Sequence, residues 1–148
     1  MSGFGRHNSG TFVFLMKRMN DYSDTERKVL ASGIELRYLP DEYLFRQGQK
    51  AEFVFYLQEG SVVLEGLKGF VSIDRKGVFI GIEEAIEEKK HVYTAMTSSY
   101  SQFLVFERKY FQQLIDEFEL ALPYFQDKKT EFNELLRTIQ PNYTKVKI

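Results

Sequence analysis

Gly81 opens the run Ile82-Glu83-Glu84-Ala85, and His91-Val92-Tyr93-Thr94 follows after the charged segment Glu87-Glu88-Lys89-Lys90. These residue types suit the holding of a small anion better than covalent chemistry. A glycine lets the backbone come close to a phosphate, and the first N–H groups of a short helix starting there would point at the anion, with the helix dipole adding partial positive charge. Against this stand Glu83, Glu84, Glu87 and Glu88, because carboxylates at the mouth of an anion site oppose phosphate binding. A plainer reading competes at each position. Gly81 simply ends a strand, the Glu87 to Lys90 run is a solvated turn, and His91 and His7 are satisfied by solvent or by neighbours. Tyr93 is large enough to fill a pocket beside Gly81 or, turned outward, to form a stacking surface.

Other chemistry finds no residues to carry it. The chain lacks a Gly-x-Ser-x-Gly elbow, a phosphate-binding Walker loop and a His-Glu-x-x-His pair, so no catalytic residues are expected and the protein is read as a non-enzyme. With no cysteine, disulfides, thiolate zinc sites and a cysteine nucleophile are excluded together, and two distant histidines do not make a metal site. The 20 Lys and Arg balance 21 Asp and Glu, which leaves no field to draw nucleic acid or an anionic membrane. The apolar run from Thr11 to Met16 is shorter than the ~7–15 residues of a signal core and the ~20 of a membrane span. A cytoplasmic setting with no membrane contact is expected.

The elements that would position these residues follow from periodicity. Residues 1–22 begin as a Gly- and Ser-rich leader, with Phe12, Leu15, Met16 and Met19 at the spacing of a short amphipathic helix. Ser23-Asp24-Thr25-Glu26 is a capping box that predicts a helix from about Asp24 to Ser32, ended by Gly33. From about 34 to 106 the period becomes two, broken at Pro40-Asp41, Gln47-Gly48, Glu59-Gly60, Lys68-Gly69 and Lys76-Gly77. Phe53, Phe55 and Leu57 then share one strand face and Val54 and Tyr56 the other, and strands apolar on both faces imply a sandwich or small barrel. Helical spacing returns over about 108–139, in two helices with Pro123 in the first turn of the second, before a tail at 140–148.

This order resembles the cyclic-nucleotide-binding-like domain shared by CRP/FNR-type regulators and protein kinase A regulatory subunits. The resemblance spans about 23–139. Tyr43-Leu44-Phe45-Arg46-Gln47-Gly48 is similar to the family's Leu-Phe-x-x-Gly turn, Phe55 to Val62 to its strand-Gly-strand hairpin, and Gly77, Gly81 and Glu84-Ala85 to its phosphate-binding cassette. It implies a mainly β fold, a double-stranded β-helix (jelly-roll) barrel of about eight antiparallel strands, with N-terminal helix or helices and two C-terminal helices.

The resemblance also implies a ligand site at Gly81, Ile82, Glu83, Glu84, Ala85, His91, Tyr93 and Thr94, for a cyclic nucleotide or another small phosphate-bearing ligand. Intact members place an Arg on the cyclic phosphate and a Glu on the ribose hydroxyl. Here Glu83 or Glu84 can supply the Glu, whereas His91 stands at the Arg position, and a neutral imidazole cannot replace a permanently charged, five-donor guanidinium. The expectation is a stand-alone regulatory or sensor module that does not bind cAMP in the usual way. The alternative is a ligand-free interaction or dimerisation scaffold. No helix-turn-helix follows Ile139, so a protein partner or self-association is expected rather than direct nucleic-acid binding. Phe125, Phe132 and Ile139, seven apart, with Leu136 alongside, form a candidate seam for a second copy, although packing on the chain's own barrel explains them equally well.

Overall fold

The computed structural model describes residues 23–66 and 69–139, the side chains of 135–139 excepted. The leader, the amphipathic segment and the tail lie outside the described residues. The first described element is α1, over residues 23–31. The carboxylate of Glu26 accepts a hydrogen bond from the Tyr124 hydroxyl at 3.1 Å.

Eight strands follow: β1 (Ile34–Tyr38), β2 (Tyr43–Phe45), β3 (Phe53–Glu59), β4 (Val62–Glu65), β5 (Phe70–Ile73), β6 (Phe79–Ile80), β7 (Thr94–Thr97) and β8 (Ser101–Glu107). The helix α2 (Ile82–Glu87) interrupts them between β6 and β7, and α3 (Arg108–Glu117) and α4 (Ala121–Ile139) complete the described chain. The strands form two antiparallel sheets, β1-β8-β3-β6 and β2-β7-β4-β5, which is the jelly-roll arrangement. The β3–β4 hairpin depends on Gly60: its φ is 104°, and a Cβ there would lie 2.6 Å from the Cα of Ser101.

Alternation along the first sheet builds two cores from one wall. Phe55 opposes Val105 and Ile80, and these residues face the jelly-roll interior with Leu57, Leu64, Ile73 and Phe103. Val54 opposes Phe106, and Tyr56 opposes both Leu104 and Phe79; that side faces the helices. Phe79 is the centre of the helical core, with ring contacts to Tyr56, Phe106, Phe111, Tyr124 and Phe125. Full burial of each such ring contributes on the order of 1.5–3 kcal/mol.

Helix α4 serves both cores. Pro123 falls in its first turn, where a missing N–H is tolerated. Phe125 packs on Phe111 with ring centroids 3.9 Å apart, while Phe132 belongs to the barrel interior. The seam expected from Phe125 and Phe132 is therefore not offered to a second copy: both rings are buried in their own chain. A seven-residue spacing marks one helix face, and intramolecular packing uses that face as readily as a coiled coil does. The side chains of Leu136 and Ile139 lie outside the described residues.

Candidate functional site

Strand β6 ends at Gly81, whose φ of 85° and ψ of 9° are left-handed and turn the chain sharply into α2. A Cβ at this position would meet His91 Cε1 at 3.4 Å, and Phe45 Cε2 and the Phe53 carbonyl at 3.5 Å each. The concave face of the turn is thus already lined by the chain itself. Ile82 and Ala85 sink into the helical core and fix the orientation of the short helix.

That orientation separates the two glutamates. Glu84 is buried, and its Oε1 accepts from Tyr93 Oη and from His91 Nδ1, each at 3.0 Å. With Oε1 as acceptor, the hydrogen-bond network assigns the ring proton to Nδ1. Glu83 faces outward and pairs with Lys89 at 3.0 Å. Lys89 also holds Glu87, at 3.0 Å, and Glu88 lies 3.6 Å from Arg108. The four carboxylates are therefore not a bare acidic cluster, since each has a hydrogen-bonded or cationic neighbour.

His91 is only 3 % exposed and sits in the wall of the barrel. Its ring stacks on Phe45 at 3.6 Å between centroids and 9° between planes. Its backbone is fixed as well, its N–H donating to Gln49 O at 2.9 Å and its carbonyl accepting from Gly48 N at 2.8 Å. The 46–49 turn is thereby latched to the strand end, and Thr94 adds to the latch by accepting from Gln47 N at 2.9 Å. Tyr93, 1 % exposed, fills the adjacent space, with Phe45 at 5.4 Å and Phe132 of α4 at 6.4 Å between ring centroids.

The structure therefore brings Gly81, Ile82, Glu84, Ala85, His91, Tyr93 and Thr94 together, with Glu83 on the outer side of the same turn. It also adds Phe45, Gln47, Gln49 and Phe132, which sequence reasoning did not assign to the site. Phe45 lay within the recognised Leu-Phe-x-x-Gly turn, but its contact with a residue 46 positions later leaves no local sequence signal. Of the two alternatives open for Tyr93, the inward one is observed.

The rim of this region is tied to α4 by charge. Lys129 Nζ lies 2.6 Å from Glu87 Oε2, and this bond, with that from Lys89, holds the Glu87 carboxyl below its ordinary range. Lys89 is correspondingly raised by its hydrogen bonds to Glu87 and Glu83. In the first turns of α4, burial, followed by the charge of Glu26, pushes the Tyr124 hydroxyl well above its ordinary value.

A sequence profile of the cyclic nucleotide-binding domain matches residues 35–118, more than half of the chain. No curated protein sequence matches it. Among solved structures, the c-di-GMP responsive global regulator CLP of Xanthomonas campestris superposes with a TM-score of 0.61 at 20% identity, over 83% of this chain and 61% of that one. The sensor domain of the transcriptional regulator DNR from Pseudomonas aeruginosa gives 0.56 at 20% identity, over 77% and 78% of the two chains. A regulatory subunit of a cAMP-independent protein kinase A from Trypanosoma brucei gives 0.58 at 21% identity, covering 78% of this chain and 39% of that subunit. At these identities the likeness is one of fold, and the chain spans well under the full length of the Xanthomonas regulator and the trypanosome subunit.

Proposed function

The chain belongs to the cyclic nucleotide-binding domain family, and from that premise we propose that it is a regulatory module whose cassette is occupied by its own side chains. In this reading it does not take cAMP in the usual way. The supporting observation is the Glu84–His91–Tyr93 cluster. The glutamate that could serve a ribose hydroxyl is engaged by Tyr93 and His91, and an imidazole stacked on Phe45 stands where a guanidinium would be needed. Admitting a nucleotide would require Tyr93 to leave the core and would cost its burial and its hydrogen bond to Glu84. The module is then regulatory rather than catalytic, works in the cytoplasm and acts through a protein partner. No described helix is long and apolar enough to cross a membrane.

Calorimetric titration of the full chain with cAMP, cGMP and c-di-GMP tests this reading. No heat is expected from any of the three up to millimolar ligand. The variant Tyr93→Ala combined with His91→Arg, which opens the space and restores a cation beside Gly81, is expected to gain measurable cAMP binding. Binding of cAMP or cGMP by the unaltered chain at micromolar concentration overturns the closed-cassette reading. A response to c-di-GMP alone would instead make the module a sensor of a different phosphate ligand.

A further inference from the structure

Among the described residues β1 is the outer strand of the first sheet, with no neighbour beyond it. Among the described residues β1 pairs only with β8, and none of them pairs with the backbone donors and acceptors of its other side. Natural proteins usually blunt such an edge with charges of one sign, above all lysine, or with proline or a bulge, whereas the two charges of β1, Glu35 and Arg37, are opposite in sign. The strand Ile34-Glu35-Leu36-Arg37-Tyr38 contains neither lysine nor proline, and its register with β8 runs without a break. Its apolar residues are exposed, Ile34 at 67% and Leu36 at 41%, and Leu39 just beyond the strand at 60%.

We propose that this edge is an interface for a second copy of the chain, the two β1 strands pairing antiparallel across a twofold axis through Leu36. The residues themselves select that register. It sets Glu35 opposite Arg37 of the second copy, Ile34 opposite Tyr38, and Leu36 opposite its own equivalent. A twofold axis doubles every contact. Two Glu–Arg pairs thus form on the face that carries Leu104, and a continuous apolar row forms on the face of Phe103 and Val105. Sliding the pairing by two residues sets Glu35 against Glu35 or Arg37 against Arg37, and sliding by one opposes the charged row to the apolar row. Among the described residues neither Arg37 nor Glu35 is in an ion pair, and Glu35 accepts from Gln102 on the same face.

This pairing gives the protein-contact reading above its partner, and the two fail separately. Sedimentation equilibrium of the full chain should show a dimer. Arg37→Glu places acid against acid and Glu35→Arg places base against base, and each should weaken the dimer about tenfold or more. The double variant Glu35→Arg/Arg37→Glu, whose net charge is unchanged, should restore it. Mixing the two single variants should yield a heterodimer, since the acidic strand then faces the basic one. Circular dichroism checks folding, and should a single variant misfold, the double variant decides alone. A monomeric unaltered chain, a dimer indifferent to the single changes, or failure of the double variant to pair overturns the proposal. A monomer that is silent to nucleotides removes this interface and leaves the closed cassette standing, whereas a charge-dependent dimer that binds cAMP does the reverse.

Discussion

Glu84 is the buried carboxylate on which two side chains of the 91–94 segment converge. Buried beside Gly81, it is stabilised only by groups that donate to it, and Tyr93 and His91 are two that do. Removing one donor leaves a buried acceptor without part of its compensation. Tyr93→Phe should therefore destabilise the fold by about 1–3 kcal/mol, although it deletes a single oxygen. Urea denaturation should show this as a lower midpoint with an unchanged slope. If the midpoint does not move, the cluster is not the organising feature of the cassette. The sequence carried part of this story: His91 stood where the family resemblance called for an Arg, and Tyr93 was large enough either to fill a pocket or to form a stacking surface. That the two share Glu84 could not be read there, because a six-residue helix shows no periodicity long enough to say whether Glu83 or Glu84 turns inward. The burial of Ile82 and Ala85 decides that, and burial is a tertiary fact.

At the scale of elements, two-residue alternation and turn residues were enough to anticipate the strands, because a strand buried on both faces has few other ways to satisfy Phe55, Leu57, Val54 and Tyr56 at once. The path of α4 was less legible. A stripe of Phe125 and Phe132 announces an apolar face but not what covers it, and here the face is divided between the helical core and the mouth of the barrel. Besides sharing the helical core, α2 and α4 are joined by the Glu87–Lys129 ion pair, which is sensitive to pH in a definite direction. The Glu87 carboxyl is held low by Lys129 first and Lys89 second. A carboxylate depressed on folding adds stability above its unfolded value and loses it as pH falls through its folded value. The pair is partly exposed, so its contribution is small, about 0–1 kcal/mol. Lys129→Ala should accordingly lower the melting temperature slightly at neutral pH, and the difference from the unaltered chain should vanish when Glu87 is protonated. A difference that persists or grows in acid would mean that Lys129 acts through its aliphatic stem rather than its charge.

The molecule as a whole is two cores sharing one sheet, and α4 is the element that spans them. Its first half is anchored by Tyr124 and Phe125 against α1, α3 and the outer side of the sheet. Phe132, two turns on, enters the barrel cluster beside Tyr93. Loss of either aromatic ring should cost about 3–5 kcal/mol in global stability, as large-to-small changes in a core do. Their local effects should differ, because local opening follows the contacts that are removed. Phe132→Ala deletes the ring by which α4 covers Tyr93 while leaving the Phe125 anchor in place. Amide hydrogen exchange should then rise in the later turns of α4, in α2 and in the strand end at 91–94, with α1 and α3 protected as before. Phe125→Ala should instead raise exchange in α3 and the early turns of α4. Identical exchange maps for the two variants would show that the cores open as one unit. Separate maps would give the molecule a means of coupling the Glu84–His91–Tyr93 cluster to its C-terminal helix, because the state of Tyr93 would be read out by how firmly the later turns of α4 are held.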